Sequence, residues 1–350
     1  MAISTYPKAL SNAEISSFCI QMAMILNSGI SSMEGISIMT EDAQSEEEEL
    51  ILLSIADTLN ATGNLCQSLK HSQVFPDYMV NMIDIGEQSG KLDEVFFSLS
   101  EHYDREAGIA SAIKNAITYP FIMICMMMLV ILVLITKVLP IFAQVFKQLG
   151  HEMTGISKVI LNISSLLNRY SIVLVFLLIA FVIFFIFCSY SAIGHTFFTK
   201  ISHKLTFTKL LSRKIASCRF ASGMALTLSS GLDSDQSLKL VGTLVDDPDF
   251  QKRILNCKEQ ISNGIDFSVA LSKSGIFSGI YARMVTVGFK TGSLDDVMKK
   301  IASQYEDEID NNISHIISIL EPTLVAILSI IVGIILLSIM LPLVGIMSNL

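Results

Sequence analysis

The 350 residues are 51% hydrophobic and only 16% charged, with a net charge of −8 and a mean hydropathy of +0.59. A chain this apolar is not an ordinary soluble protein of its length, and nothing in the balance points to nucleic acid as a partner. The six cysteines (Cys19, Cys66, Cys125, Cys188, Cys218, Cys257) form no CxxC pair, and two fall in apolar runs, so they are read as reduced, small apolar side chains rather than as zinc ligands or a disulfide framework.

Residues 1 to 20 lack the basic start and continuous apolar core of a signal peptide, so the N-terminal region is expected in the cytoplasm. Helix starts follow. Ser11 with Glu14, Ser31 with Glu34 and Ser45 with Glu48 each match a capping box, in which hydroxyl and carboxylate satisfy free N–H groups of a first turn. The run EDAQSEEEE at 41 to 49 is read as a solvated helix start with carboxylates at the positive dipole end, the alternatives being a basic partner or a cation.

The stretch IGEQSGKLDEVF at 85 to 96 looks like a phosphate loop but is not one. Only three residues separate Gly86 from Gly90, and Leu92 stands where the metal-binding hydroxyl of a GxxxxGK[ST] loop belongs. It is read as a corner between two helices, the first ending at Gly86 in a positive-φ conformation and the second starting near Gly90, with Asp93 and Glu94 at its positive end. Apolar positions from Leu92 through Val95, Phe96, Leu99 and Tyr103 to Ile117 then trace one face of a long helix.

Three uncharged runs, following Lys114, from 170 to 194 and from Pro322 onward, are each long enough for a helix crossing about 30 Å of hydrocarbon, which takes roughly 20 residues. After the second run, Lys200, Lys204, Lys209, Arg213, Lys214 and Arg219 form a basic excess expected on the cytoplasmic side. Further on, Asp247-Pro248 and Asp266 are candidate N-caps.

The chain repeats itself at an offset of 202 residues. FCIQMAMILNSGI from Phe18 meets FASGMALTLSSGL from Phe220, and Gly86, Gly90, Leu92 and Asp93 meet Gly288, Gly292, Leu294 and Asp295. Ser293 replaces Lys91, Phe289 replaces Glu87, and Ser293 with Asp296 matches another capping box. Pro120 meets Pro322, and Pro140 meets Pro342. The repeat unit is a helical domain followed by its own span, and two like domains on one side of a membrane require the middle span to bring the chain back. The expected all-α organisation is a cytoplasmic bundle of about six helices at 1–115, a transmembrane helix at 116–140, an external loop at 141–169, a second transmembrane helix at 170–194, a second bundle at 195–320 and a third transmembrane helix at 321–347, with the C-terminus outside.

The paired GEQSGKLDEV and GFKTGSLDDV segments, with the Tyr119-Pro120 and Glu321-Pro322 span starts, resemble the type II secretion protein F family, which includes the inner-membrane platform proteins of type IV pili. The resemblance covers the chain from about Ser11. It implies a platform in the bacterial inner membrane that couples a cytoplasmic hexameric ATPase to insertion of pilin subunits, contacts other inner-membrane assembly proteins and further copies of itself, and needs no cofactor and no catalysis. A type II secretion system is the alternative machine. Candidate interaction residues are Gly86, Glu87, Gly90, Leu92, Gly288, Gly292, Leu294, Tyr119, Pro120, Glu321 and Pro322; Phe289 in place of Glu87 leaves a shared role of that carboxylate open. Glu321 is a helix-end charge or a polar anchor for a pilin or a neighbouring subunit. The prolines either end helices or bend them. A secondary transporter is disfavoured, because each repeat carries one span without a charge at its centre. The six histidines form no metal or triad spacing, which disfavours an enzyme.

Overall fold

A computed structural model describes residues 9–148, 176, 206–245 and 247–348. The first repeat contains α1 (Asn12–Asn27), α2 (Ser32–Glu41), α3 (Glu46–Thr62), α4 (Leu65–Ser72), α5 (Asp77–Ser89) and α6 (Leu92–Val133); a π-helical turn (Leu134–Val138) and α7 (Leu139–Gln148) follow. The second contains α8 (Thr206–Ser229), α9 (Ser234–Val241), α10 (Pro248–Ser262), α11 (Phe267–Lys273), α12 (Ile280–Thr291) and α13 (Leu294–Ser348). There is no strand among the described residues. The expected span at 170–194 and most of the loop at 141–169 lie outside them.

Local chemistry sets these boundaries. At Ser11 the full capping box forms, with the hydroxyl accepting from Glu14 N–H and the Glu14 carboxylate from Ser11 N–H. Ser31 caps with its hydroxyl. Ser45 does the same, but the Glu48 carboxylate accepts from Gln44 N–H, one residue earlier than a capping box requires. Asp247 accepts from Phe250 N–H with Pro248 at the first helical position, and Asp266 accepts from Ser268 N–H. The expected box at Ser293 is replaced by a hydroxyl pair with Thr291 at 2.8 Å.

The described chain divides into two compact units. Met1–Ser111 and Leu210–Asn311 form one, so the helical parts of both repeats share a single body. Its core shows the duplication atom by atom. Phe18 packs on Phe75 with centroids 4.9 Å apart, and their equivalents Phe220 and Phe277 are 5.8 Å apart. Met22 and Met224 are both fully buried, as are Leu69 and Leu271. The Ser16 hydroxyl donates to the Ser100 carbonyl, and its equivalent, the Cys218 thiol, to the Ala302 carbonyl. The five described cysteines are free; burial pushes the Cys218 thiol up to about 12 and that of Cys257 to about 11, which keeps both protonated and inert.

The other unit comprises Ala112–Lys209 and Asn312–Leu350. Here the prolines do not end helices. Pro120 lies inside α6, Pro322 and Pro342 lie inside α13, and Pro140 is the second residue of α7. Losing one backbone hydrogen bond costs less than abandoning the helix in a run with almost no polar side chains to take over the others. A π turn ends two residues before Pro140 and contains Thr136, whose carbonyl the proline ring would meet in a regular α-helix. Both apolar stretches are long enough to cross a membrane, and almost none of either is buried. Ile122, Met126, Val325 and Ile330 point outward. Where the helices do meet, Ile335 packs against Leu134, Ile135 and Phe142.

Candidate functional site

The twin corners explain their own glycines, and they correct the expected division of labour. α5 does not stop at Gly86. It runs on to Ser89, and Gly90 (φ +70°) closes it in the left-handed region; Gly292 (φ +73°) closes α12 in the same way. Gly86 and Gly288 are buried helical residues whose missing side chain permits close packing. A Cβ on Gly86 would lie 3.2 Å from Val95, and one on Gly288 would lie 2.7 Å from Val297. The turn is fastened by Lys91 N–H and Ser293 N–H, which donate to the Gly86 and Gly288 carbonyls at 3.1 and 3.0 Å. Only the backbone of the residue after the second glycine is needed, so lysine and serine are interchangeable there. Leu92 fits against the Gly86 surface, and Leu294 is buried at the equivalent position.

Glu87 also acquires a role, and so does its replacement. Its carboxylate accepts from Leu65 N–H (2.8 Å) and Cys66 N–H (3.1 Å), capping α4 across the corner. In the second repeat Phe289 stacks on Phe267, the first residue of α11, with centroids 5.8 Å apart, while Asp266 supplies the cap. A charge-assisted cap in one copy becomes an aromatic stack in the other, joining the same two helices. Glu87→Ala is expected to cost about 1 kcal/mol, with faster amide exchange at Leu65 and Cys66 read by hydrogen exchange.

In the unit built from the apolar helices, Tyr119 and Glu321 come together. The Tyr119 hydroxyl donates to the Glu321 carboxylate at 3.0 Å. The two positions are 202 residues apart, so each is the other's repeat equivalent. The Tyr-Pro and Glu-Pro dipeptides, which look like variants of one motif, are therefore the two halves of one contact. Pro120 and Pro322 follow directly on it.

Residues to which the sequence pattern assigns no such role join the two repeats in the first unit. The His102 Nδ1 lies 2.9 Å from the Ser222 hydroxyl, and the imidazole packs against Tyr78 and Tyr103. Arg219 donates from Nε to both Glu106 oxygens at 3.0 and 2.9 Å. Arg105 Nε stands 3.3 Å from the Glu306 carboxylate, and Lys299 Nζ 2.7 Å from that of Glu101. Burial pulls the His102 imidazole down to about 4, with the Arg105 and Arg219 guanidinium groups adding to the effect and the Glu106 carboxylate opposing it. The available signal was divergence between the copies: Gln304 stands at the equivalent of His102, and Ser17 at that of Arg219.

The family model for type II secretion system protein F matches residues 18–140 and again 220–342. The chain belongs to the type II secretion system protein F family. The two matched segments reproduce the 202-residue offset, and they end at the equivalent prolines Pro140 and Pro342. The chain is 25% identical over 340 residues to the type IV pilus assembly protein PilC of Pseudomonas aeruginosa, covering 93% of this chain and 88% of that one. It is 27% identical to PilC of Thermus thermophilus (96% and 83% covered) and 22% identical to the type II secretion system protein F of Aeromonas hydrophila (96% and 87%).

Proposed function

We propose that this protein is the inner-membrane platform of a type IV pilus assembly machine, coupling a cytoplasmic assembly ATPase to the insertion of pilin subunits at the fibre base. The observation that carries the reading is nearly full-length similarity to pilus assembly proteins, across both repeats and both apolar helices. The more distant match to a secretion protein F makes a type II secretion system the second reading. In either machine the chain performs no chemistry. It transmits movement between partners.

The compact unit supports the topology. Met1–Ser111 and Leu210–Asn311 belong to one body, which favours an even number of bilayer crossings between them. If α6 makes the first crossing, the uncharged run at 170–194 supplies the return, and α13 leaves in the same direction as α6. Both helical bodies and the N-terminus are then cytoplasmic, and the C-terminus is periplasmic. In this frame Tyr119 and Glu321 sit where the spans begin, and a carboxylate at that depth is held by a hydroxyl rather than left alone. The corner glycines shape the body that a motor would push.

Deleting the gene and scoring surface fibres and secreted substrates separately tests the reading. Fibres are expected to disappear while secretion continues, and the wild-type gene restores them. Loss of secretion with intact fibres selects the other machine. In the same background, Glu321→Ala is expected to insert normally and to restore few fibres. Full restoration would reduce the Tyr119–Glu321 pair to a helix-end contact.

A further inference from the structure

Two arginines of the second repeat, from different helices, direct donors at the same neutral oxygen. Arg213 of α8 donates from Nη2 to the Gly275 carbonyl at 3.3 Å, and Arg253 of α10 donates to it from Nη1. Burial first and then the Arg213 charge draw the Arg253 guanidinium below its ordinary value, with Asp249 and Asp247 opposing. Those carboxylates are engaged with other groups. Asp247 accepts from Phe250 N–H on one oxygen and from the Ser212 hydroxyl on the other, and Asp249 lies 3.7 Å from the Lys252 ammonium. A guanidinium carries five N–H donors in a planar fork, so each arginine keeps donors beyond the one directed at Gly275. Arg213 is exposed and Arg253 half-buried, which leaves the pair open to a ligand from water.

Closing the carbonyl beyond α11 does not account for this pair, because the first repeat builds the same turn without it. Gln73 (φ +56°) stands at the position of Gly275 (φ +71°), with Ser11 and Ile51 at the positions of Arg213 and Arg253. Ser11 there caps α1. The neighbouring basic positions Lys252 and Lys273 are likewise Leu50 and His71 in the first repeat. The cationic cluster thus belongs to one copy and is added to a frame that folds without it.

The pair also lies towards a definite end of the body. Cys218 pairs with Ala302 and Lys214 with Glu308, so α8 runs antiparallel to α13 and begins at the end from which α13 continues into its apolar run. Lys200, Lys204 and Lys209 precede the pair in the sequence, and the uncharged run at 170–194 comes shortly before them. The geometry points to a phosphate-binding site at Arg213 and Arg253 that takes the headgroup of an anionic phospholipid. Two planar forks match the paired oxygens of a phosphodiester, and a basic cluster on the cytoplasmic side of a span meets the negative surface of that leaflet. The end position and the entry of the chain from an apolar run favour a membrane phosphate over a soluble one. The choice of a lipid rests on the topology proposed above.

The test titrates the full-length protein in neutral detergent micelles with phosphatidylglycerol, with phosphatidylcholine and with inorganic phosphate, reading the rise of each protein's thermal midpoint above its own lipid-free value. Phosphatidylglycerol is expected to give a saturable rise, and the other two little or none over the same concentrations. Arg213→Ser and Arg253→Ile install the residues of the first repeat. Each is expected to raise the half-saturating phosphatidylglycerol concentration about fivefold, and the double variant on the order of twentyfold. The lipid-free midpoint of Arg213→Ser should match wild type, because that side chain is exposed. Lys239→Ser removes a lysine 67% exposed on α9 and is expected to leave the response unchanged. An undiminished response in the double variant, an equal loss in Lys239→Ser, or a response to inorganic phosphate matching that to the lipid would overturn the proposal. Micelles have no sides, so absent binding would leave the platform reading standing, whereas a wrong topology would show in protease protection instead.

Discussion

Arg219→Ala is expected to destabilise the body holding both repeats by about 2–4 kcal/mol. Its guanidinium holds Glu106 with three contacts between 2.8 and 3.0 Å, and the Glu106 side chain is only 10% exposed. Removing the arginine strands a carboxylate that water barely reaches. The Arg219 side chain is itself 31% exposed, which places the expected loss below that of a fully buried pair. Replacing both partners, Arg219→Leu with Glu106→Leu, is expected to be far milder, because no unpaired charge remains. Hydrogen exchange distinguishes this from general unfolding: in Arg219→Ala, protection should fall first along α8 and the facing turns of α6, while the Phe18–Phe75 core of the first repeat stays protected.

The second large effect depends on pH. His102 is neutral in the folded protein because burial holds it near 4, while its ordinary value is about 6.5. Between those values the unfolded chain binds a proton that the folded chain does not, so stability is complete above about 6.5 and is lost as pH falls toward 4. The full difference corresponds to roughly 3 kcal/mol. The groups around the ring are Arg105 and Glu106 on α6 and Arg219 on α8; the two cations hold the value down, and the carboxylate raises it. His102→Gln removes the titration. Thermal midpoints measured from pH 7 to pH 4 should fall more steeply for wild type than for this variant. Parallel curves would mean that the imidazole is solvated and that the seam between the repeats is looser than described.

Much of this architecture was legible because helices announce themselves locally. Ser11, Asp247 and Asp266 cap where their spacing says they should, and the 202-residue offset predicts the paired cores around Phe18 and Phe220. What the sequence could not divide was labour between neighbouring glycines. Positive φ and close packing both select glycine, so Gly86 and Gly90 look alike until the backbone shows that one is packed against Val95 and the other turns the chain. The prolines misled for a related reason. Proline suggests a helix end in water, but in an apolar run the helix continues through it. The seam between the repeats escaped notice because it depends on long-range contacts that no local pattern encodes. Its trace was negative, in positions such as Arg219 and His102 where one copy departs from the other.

The central claim is that both duplicated bodies pack together on one face of a membrane. Placing one epitope tag at Gly63 and another at Gly264, exposed loop positions in the first and second bodies, measures this directly. Protease added to intact spheroplasts should leave both tags untouched, and opening the membrane should expose both to cleavage. Cleavage of one tag in intact spheroplasts while the other survives would contradict the account.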